Sequence, residues 1–204
     1  MVPHRRLLLA TVGLALAATS WLTDSSASTS IAIPFEALVH DSTAAAFVTP
    51  LTQASMWEGG RIVTYTDVHV DTAVAGPPLG DDVWVRTLGG GVSGLGQSVE
   101  GEAVLTIGRP SLVFLHPAIV LGQPADQPRT TQPGTYAVTA RAQGQFPVVL
   151  DAGGQLRVRR SGAVGATIAR SSSIGALARD TLHGATTDEA RQRITDVWVH
   201  AHTQ

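Results

Sequence analysis

The 204-residue chain contains no cysteine and no lysine. Without cysteine, the protein has no disulfide bonds, no thiol catalysis, no cysteine metal ligands and no lipid-modified amino-terminal cysteine. Without lysine, it lacks the Gly-Lys-Ser/Thr step of a phosphate-binding loop. All fourteen basic residues are arginines, and the formal net charge is −2. This balance argues against a nucleic-acid partner, which requires clustered basic side chains to contact phosphates.

Long apolar runs are also missing, apart from a short one near the amino terminus. Residues 7–18 (LLLATVGLALAA) follow Arg5 and Arg6. About 20 apolar residues are needed to cross a bilayer, whereas a basic start, a shorter apolar stretch and small residues after it are typical of a secretory signal peptide. We predict cleavage after Ala27, with Ser20 as the alternative. The product is expected to be secreted or periplasmic, without a transmembrane segment after cleavage.

Short strand patterns separated by glycine and proline turns dominate the rest of the chain. Residues 61–74 (RIVTYTDVHVDTAV) give the clearest strand, because β-branched residues alternate with polar ones. Further strands are predicted at 44–51, 82–88, 99–107, 111–115, 135–142, 145–150 and 155–160. Strands at this density, without alternating helices, indicate a mainly β fold: a small antiparallel OB-like barrel or sandwich.

Two helices are predicted to flank the strands. Residues 34–40 form a short helix with Pro34 in its first turn. Residues 188–201 form an amphipathic helix that packs on the barrel, with Thr187 as its N-cap and acidic residues in its first turn. The predicted organisation is a signal peptide at 1–27, a β-barrel domain at 28–160, a Gly/Ser-rich loop at 161–185 and the carboxyl-terminal helix at 186–204.

A glycine-rich segment follows the strand predicted at 82–88. Gly89, Gly91 and Gly94 match the G-x-G-x-x-G spacing of dinucleotide-binding loops. That motif also requires a helix whose amino terminus holds the pyrophosphate, and here a strand pattern follows instead. The segment is therefore interpreted as a glycine-lined β-connection that presents a binding surface, and no cofactor is predicted.

One triplet of residues could carry metal chemistry. Asp67, His69 and Asp71 alternate along the clearest strand, so their side chains are expected on one face. Imidazole and carboxylates are ligands of zinc and other divalent ions. The alternative is a solvated outer face, which antiparallel sheets commonly have. Glu100 and Glu102 are likewise interpreted as a charged sheet surface.

Trp57, next to a glycine turn, is interpreted either as an exposed aromatic on a loop or as a lid on the core. An exposed tryptophan is a common anchor in binding surfaces. With no recognisable catalytic set, the sequence favours a secreted, non-catalytic binding module for an unknown protein or glycan. The first alternative is a metal-assisted hydrolase that uses Asp67, His69 and Asp71, completed by His116 or another distant ligand. The second is a structural envelope protein.

The layout also resembles a known arrangement. A short helix at 34–40 leads into an apolar strand at 44–51, and a long strand ends at Ala75-Gly76. The segments VWVRT at 83–87 and VFL at 113–115 follow. This order is similar to the netrin-like OB barrel of tissue inhibitors of metalloproteinases. The resemblance implies a fold over about residues 34–160.

The same segments are similar to motifs of uncharacterised secreted bacterial proteins: V-R-T-L-G-G at 85–90, G-x-G-Q at 94–97, F-L at 114–115 and Q-G-x-F at 143–146. None of these motifs is catalytic. The metalloproteinase inhibitors chelate the protease metal through an amino-terminal cysteine, which this chain lacks. The resemblance therefore implies no inhibitory mechanism and no functional residues.

Overall fold

The computed structural model describes residues 29–119, 134–168 and 175–203. These residues form a mainly β protein with a large mixed sheet and few helices. No helix in the described ranges is long and apolar enough to cross a membrane. The predicted signal peptide lies outside the described residues. So do residues 120–133, a stretch that contains several prolines, and residues 169–174 of the predicted Gly/Ser-rich loop.

The chain forms eleven strands and three α-helices within these ranges. The helices are α1 (Phe35–His40), α2 (Ala178–Leu182) and α3 (Thr187–His202). The strands are β1 (Thr29–Ile31), β2 (Ala44–Glu58), β3 (Arg61–Ala75), β4 (Asp82–Leu88), β5 (Gly90–Val92), β6 (Leu95–Gln97), β7 (Ser111–Pro117), β8 (Thr135–Val138), β9 (Gln145–Leu150), β10 (Leu156–Val158) and β11 (Ala166–Ile168). A 3₁₀ turn, Arg141–Gly144, precedes β9.

Seven of these strands form one sheet in the order β10-β9-β7-β2-β3-β4-β8, and β7 also pairs with β8. Hydrogen-bonded neighbours therefore run from β7 through β2, β3, β4 and β8 back to β7. Every pairing in this sheet is antiparallel except that of β4 with β8, which is parallel. The prediction of an antiparallel fold is thus only partly right, because β8 runs beside β4 in the same direction.

The hairpin of β2 and β3 is the longest feature of the sheet. Its turn consists of Gly59 and Gly60, with φ of 56° and 76°, and such left-handed pairs match the twist of hairpin strands. The register shifts at three places along the hairpin. Bulges of this kind bend a strand and change which face a side chain occupies.

Alternating residues of β2 supply two hydrophobic clusters. Ala45 and Phe47 pack in a cluster with all three helices, in which Phe114 and Phe146 meet edge to face. Ala44, Ala46 and Val48 pack on the opposite face, in a cluster shared by β3, β4, β7, β8 and the segment after β6. Both faces of β2 are therefore buried here, which explains its continuous apolar run.

The strand predicted at 99–107 is wrong. These residues form turns and irregular chain, and Val104 bonds to a side chain. Its N–H donates to Gln145 Oε1 at 2.9 Å, and Gln145 Nε2 donates back to its carbonyl at 2.5 Å. Ala103 and Leu105 are buried while Val104 is exposed. The interpretation of Glu100 and Glu102 as a charged sheet surface is wrong for Glu102, which is buried, because the segment forms no strand and pairs instead with the Gln145 side chain.

The carboxyl-terminal helix is confirmed, although Thr186 rather than Thr187 is its N-cap. Thr186 Oγ1 accepts a hydrogen bond from Glu189 N at 3.2 Å, and Glu189 Oε2 accepts one from Thr186 N at 2.9 Å. This reciprocal pair is a capping box, which requires an acid three residues after the cap. Only Thr186 stands at that spacing from Glu189.

Candidate functional site

The predicted metal triplet is not brought together. Asp71 lies at a register shift of β3 and accepts a hydrogen bond from Thr49 Oγ1 at 2.8 Å. His69 Nδ1 lies 3.0 Å from Asp82 Oδ1 on β4, and this hydrogen bond raises the pKa of the exposed His69 imidazole. Across the described ranges, no three His, Asp or Glu side chains are grouped to hold a metal ion. The register shift and the separate partners of His69 and Asp71 thus keep the three side chains from converging.

The glycine-rich segment after β4 forms a tight hairpin. Gly91 lies in β5, which pairs with β6, and the turn between them consists of Ser93 and Gly94 with φ of 51° and 80°. Gly89, with φ of 96°, donates its N–H to Ile62 O at 2.8 Å. A strand rather than a helix follows the glycines, so this segment does not offer the helix amino terminus of a dinucleotide site.

The hairpin backbone lies directly against hydroxyl groups of β2 and β3. Thr64 Oγ1 donates to Gly89 O at 2.7 Å, and Ser55 Oγ lies 2.9 Å from Thr64 Oγ1. A Cβ added at Gly90 would lie closer than 3.0 Å to both of these hydroxyl oxygens. Only glycine permits this approach. The contact fixes the hairpin as one wall of a cleft.

Trp57 belongs to β2 rather than to a loop, and 53% of its surface is exposed. The interpretation as a core lid is therefore wrong. Its cross-strand partner, Ile62, donates its N–H to Gln97 Oε1 at 2.8 Å and accepts from Gly89 N. Trp57 and the glycine hairpin thus lie at the same end of the molecule, as two predicted binding elements that the fold brings together.

The cleft at this end has a volume of about 220 Å³ and lies between the β2–β3 ribbon and residues 87–105. Its polar lining includes Gln53, Thr64, Gln97, Ser98 and Glu102. Alternate residues of a strand share a face. The Trp57 side chain therefore lies on the same face of β2 as Gln53, further towards the turn of the hairpin.

Two glutamines shape the cleft. Gln53 Nε2 donates to Thr66 Oγ1 at 3.3 Å and to Leu105 O, which ties β2 to the opposite wall. Gln97 Oε1 is the acceptor for Ile62 N. Among the described residues, none accepts a hydrogen bond from Gln97 Nε2. This amide is consequently a donor that a ligand in the cleft can use.

Glu102 is the carboxyl group of the cleft, and only 10% of its side chain is exposed. Its Oε1 accepts from Ala103 N at 3.2 Å, while its Oε2 lies 3.8 Å from Arg141 Nε. Burial raises the pKa of Glu102, and the Ala103 hydrogen bond and the Arg141 charge only partly oppose this shift. A carboxyl group shifted towards its neutral form can both donate and accept hydrogen bonds.

Sequence reasoning missed Glu102 and Gln97 as site residues. Glu102 resembled a surface acid because it alternates with Glu100, and only the tertiary fold places it beneath the glycine hairpin. The sequence carried one indication that Glu102 is buried: the apolar residues Ala103, Val104 and Leu105 follow it directly. Gln97 lies within the G-x-G-Q segment at 94–97, but its role depends on the Ile62 contact across the fold.

No protein-family model matches this sequence. None of the curated proteins matches it either. The function is therefore inferred from the cleft and the surface around it.

Proposed function

We propose that the protein is an exported, non-catalytic binding module that holds a sugar residue of an extracellular glycan in the cleft beside Trp57. The observation that carries this proposal is a small polar cleft with an exposed tryptophan further along the same strand face. The basic and apolar amino-terminal sequence supports export to a secreted or periplasmic location.

The strand pairings support an OB-like barrel as the scaffold. The cyclic series of β7, β2, β3, β4 and β8 contains five strands, and OB folds are five-stranded, partly open barrels. The netrin-like resemblance is consistent with this arrangement and adds no functional residues. OB folds bind oligonucleotides and oligosaccharides. The low net charge and the absence of lysine favour an oligosaccharide here.

The size of the cleft favours a single sugar ring. Its volume is about 220 Å³. This is smaller than the pockets of roughly 300–1,000 Å³ that hold drug-sized ligands. Gln97 Nε2 can donate a hydrogen bond to a hydroxyl group of a neutral sugar, and the Glu102 carboxyl group can form a second hydrogen bond to such a hydroxyl group.

The arrangement of carboxyl groups favours binding over hydrolysis. Glycoside hydrolysis generally requires two carboxyl groups that flank the scissile bond. Within the described residues, Glu102 is the one carboxyl group that lines the cleft. Trp57 does not line the cleft. Its exposed side chain, further along β2, offers an apolar surface on which the C–H face of a neighbouring sugar ring of the glycan can pack, and tryptophan is among the commonest anchors of binding energy.

Binding to a panel of soluble oligosaccharides tests this proposal. The panel would carry neutral hexose, N-acetylhexosamine or uronic acid ends, and binding would be followed by calorimetry on the protein as its host produces it. We expect saturable binding of a neutral-ended member. Trp57→Ala should weaken this binding by about tenfold or more, because loss of a tryptophan anchor commonly costs about 2 kcal/mol.

Trp84→Ala is the matched control, because Trp84 is also exposed but lies on β4. It should bind oligosaccharides like the unmodified protein. Absence of binding across the panel, or equal losses in the Trp57 and Trp84 variants, would contradict the proposal. Binding of peptides in place of oligosaccharides would also overturn it, in favour of a protein partner.

A further inference from the structure

A second groove, of about 690 Å³, lies between α1 and α3. Its floor consists of the half-buried residues Ala37, Val197 and Ala201, and the exposed acids Glu36, Asp41 and Asp196 lie along its rims. The groove belongs to the helical face of the protein and shares no lining residue with the cleft beside Trp57. It is therefore a separate surface.

The two helices that form the groove are held together at their ends. His202 on α3 stacks on Trp198 with ring centroids 4.1 Å apart, and its Nε2 lies 3.2 Å from Ser42 O, just after α1. Phe35, Leu38 and Ile194 pack in one cluster beneath the helices. The groove is thus pre-formed, which reduces the free energy spent on ordering when a partner binds.

The rim of the groove is acidic. Asp41 Oδ1 lies 3.0 Å from His40 Nδ1, and His200 Nδ1 bonds to the main-chain oxygen of Asp196 at 2.7 Å, which leaves the Asp196 carboxylate out of that contact. In the part of the chain that the structure describes, no arginine lines the groove. Three carboxylates above an apolar floor match a side chain with an aliphatic stem and a cationic head.

We propose that this groove docks a cationic segment of a partner protein. Aliphatic stems and a small apolar side chain of that segment lie on Ala37, Val197 and Ala201, while its Arg or Lys heads contact Glu36, Asp41 and Asp196. Burial of stems on an apolar floor provides affinity, and the acidic rim selects the charge of the partner. Because α1 has only six residues, it spans about 9 Å, so one or two side chains of the partner enter the groove.

Short synthetic peptides test this proposal directly. One peptide carries one small apolar residue flanked by arginines, and its counterpart has glutamates in place of the arginines. Fluorescence anisotropy would compare their binding to the intact protein at low and at physiological salt. The arginine peptide should bind at least about tenfold more tightly than the glutamate peptide, and its affinity should fall as salt rises.

The combined Glu36→Gln and Asp196→Asn variant should weaken binding of the arginine peptide by about tenfold. Asp188→Asn is the matched control, since Asp188 lies on α3 but outside the groove, and it should leave peptide binding unchanged. Equal binding of both peptides, no binding of either, or no effect of the combined variant would overturn the proposal. Oligosaccharide binding does not enter these measurements, so each proposal can fail alone.

Discussion

Arg86 and Glu58 form an ion pair between β4 and the end of β2 in which both side chains are more than nine-tenths buried. Arg86 Nη2 and Nε lie 2.7 Å and 3.1 Å from Glu58 Oε1, and the two side chains are 8% and 9% exposed. Tyr65 donates its hydroxyl to Glu58 Oε2 at 2.7 Å. Burial, together with Glu58, raises the pKa of Tyr65. This network joins the end of the β2–β3 ribbon to β4.

Arg86→Met should destabilise the fold strongly. The substitution removes the buried guanidinium that contacts the Glu58 carboxylate, and removal of one partner of a buried pair typically costs about 3–5 kcal/mol. Urea unfolding at neutral pH measures this loss. Arg191→Met is the control, because its pair with Asp188 is largely exposed and should contribute less than about 1 kcal/mol. Similar losses of unfolding free energy in both variants would show that the buried Arg86–Glu58 pair contributes no more to stability than the exposed Arg191–Asp188 pair.

Gly90→Ala should displace the glycine hairpin. The new Cβ would overlap Thr64 Oγ1 and Ser55 Oγ, and Gly90 has a φ of 128°. We expect a loss of about 1–3 kcal/mol in unfolding free energy, with changed amide shifts along β5. Gly96→Ala is the control, since a Cβ added there would meet no atom within 4 Å, and it should stay within about 0.5 kcal/mol. A neutral Gly90→Ala variant would contradict the proposed close contact.

Thr186→Ala should remove the cap of α3. The variant loses the side-chain oxygen that accepts from Glu189 N, so thermal unfolding should report a loss of about 1 kcal/mol. Thr186→Ser should retain most of the stability. Thr195→Ala, on an exposed turn of the same helix, should change stability by less than about 0.5 kcal/mol. If both alanine variants behaved alike, the capping box would not contribute to stability.

Glu102→Gln should alter the pH dependence of stability. Burial raises the pKa of Glu102 in the folded protein, so the folded state binds the proton more tightly than the unfolded state. Stability therefore falls as pH rises from the unfolded pKa of about 4.3 towards the raised folded pKa, and it stays lower above that. The glutamine variant removes this ionisation. Its stability relative to the unmodified protein should consequently increase with pH through this window.

Urea unfolding of both proteins at about pH 4 and about pH 8 measures that difference. The comparison between the two proteins isolates Glu102, because Asp151 and Glu189, whose pKa values are lowered by hydrogen bonds, are present in both. A difference in stability that is the same at both pH values would contradict the raised pKa of Glu102.

Local patterns predicted much of the fold. Alternation predicted β3 and β4, the glycines predicted a turn at Gly59 and Gly60, and an amphipathic pattern predicted α3. These features depend on residues close in sequence. The strand predicted at 44–51 is seven residues too short, because β2 continues to Glu58. The mixed sheet was not predicted, because the parallel pairing of β8 with β4 joins segments that are distant in sequence.

The candidate site was predicted only in part. Trp57 and the glycines were identified because aromatic and glycine residues carry local signals, and the fold places them at one end of the molecule. Glu102 and Gln97 were not identified, since their burial and bonding depend on contacts distant in sequence. Asp67, His69 and Asp71 do not converge as the predicted metal site requires, because a register shift and the Asp82 hydrogen bond separate them.

The most direct test of the central claim is amide and indole chemical-shift mapping during titration with the best-binding neutral oligosaccharide of the panel. If the oligosaccharide binds in this cleft, the Trp57 indole signal and the amides of residues 97–105 should move together and saturate with one dissociation constant. Shifts confined to Trp84, to the helices or to none of these residues would show that the cleft beside Trp57 is not the binding site.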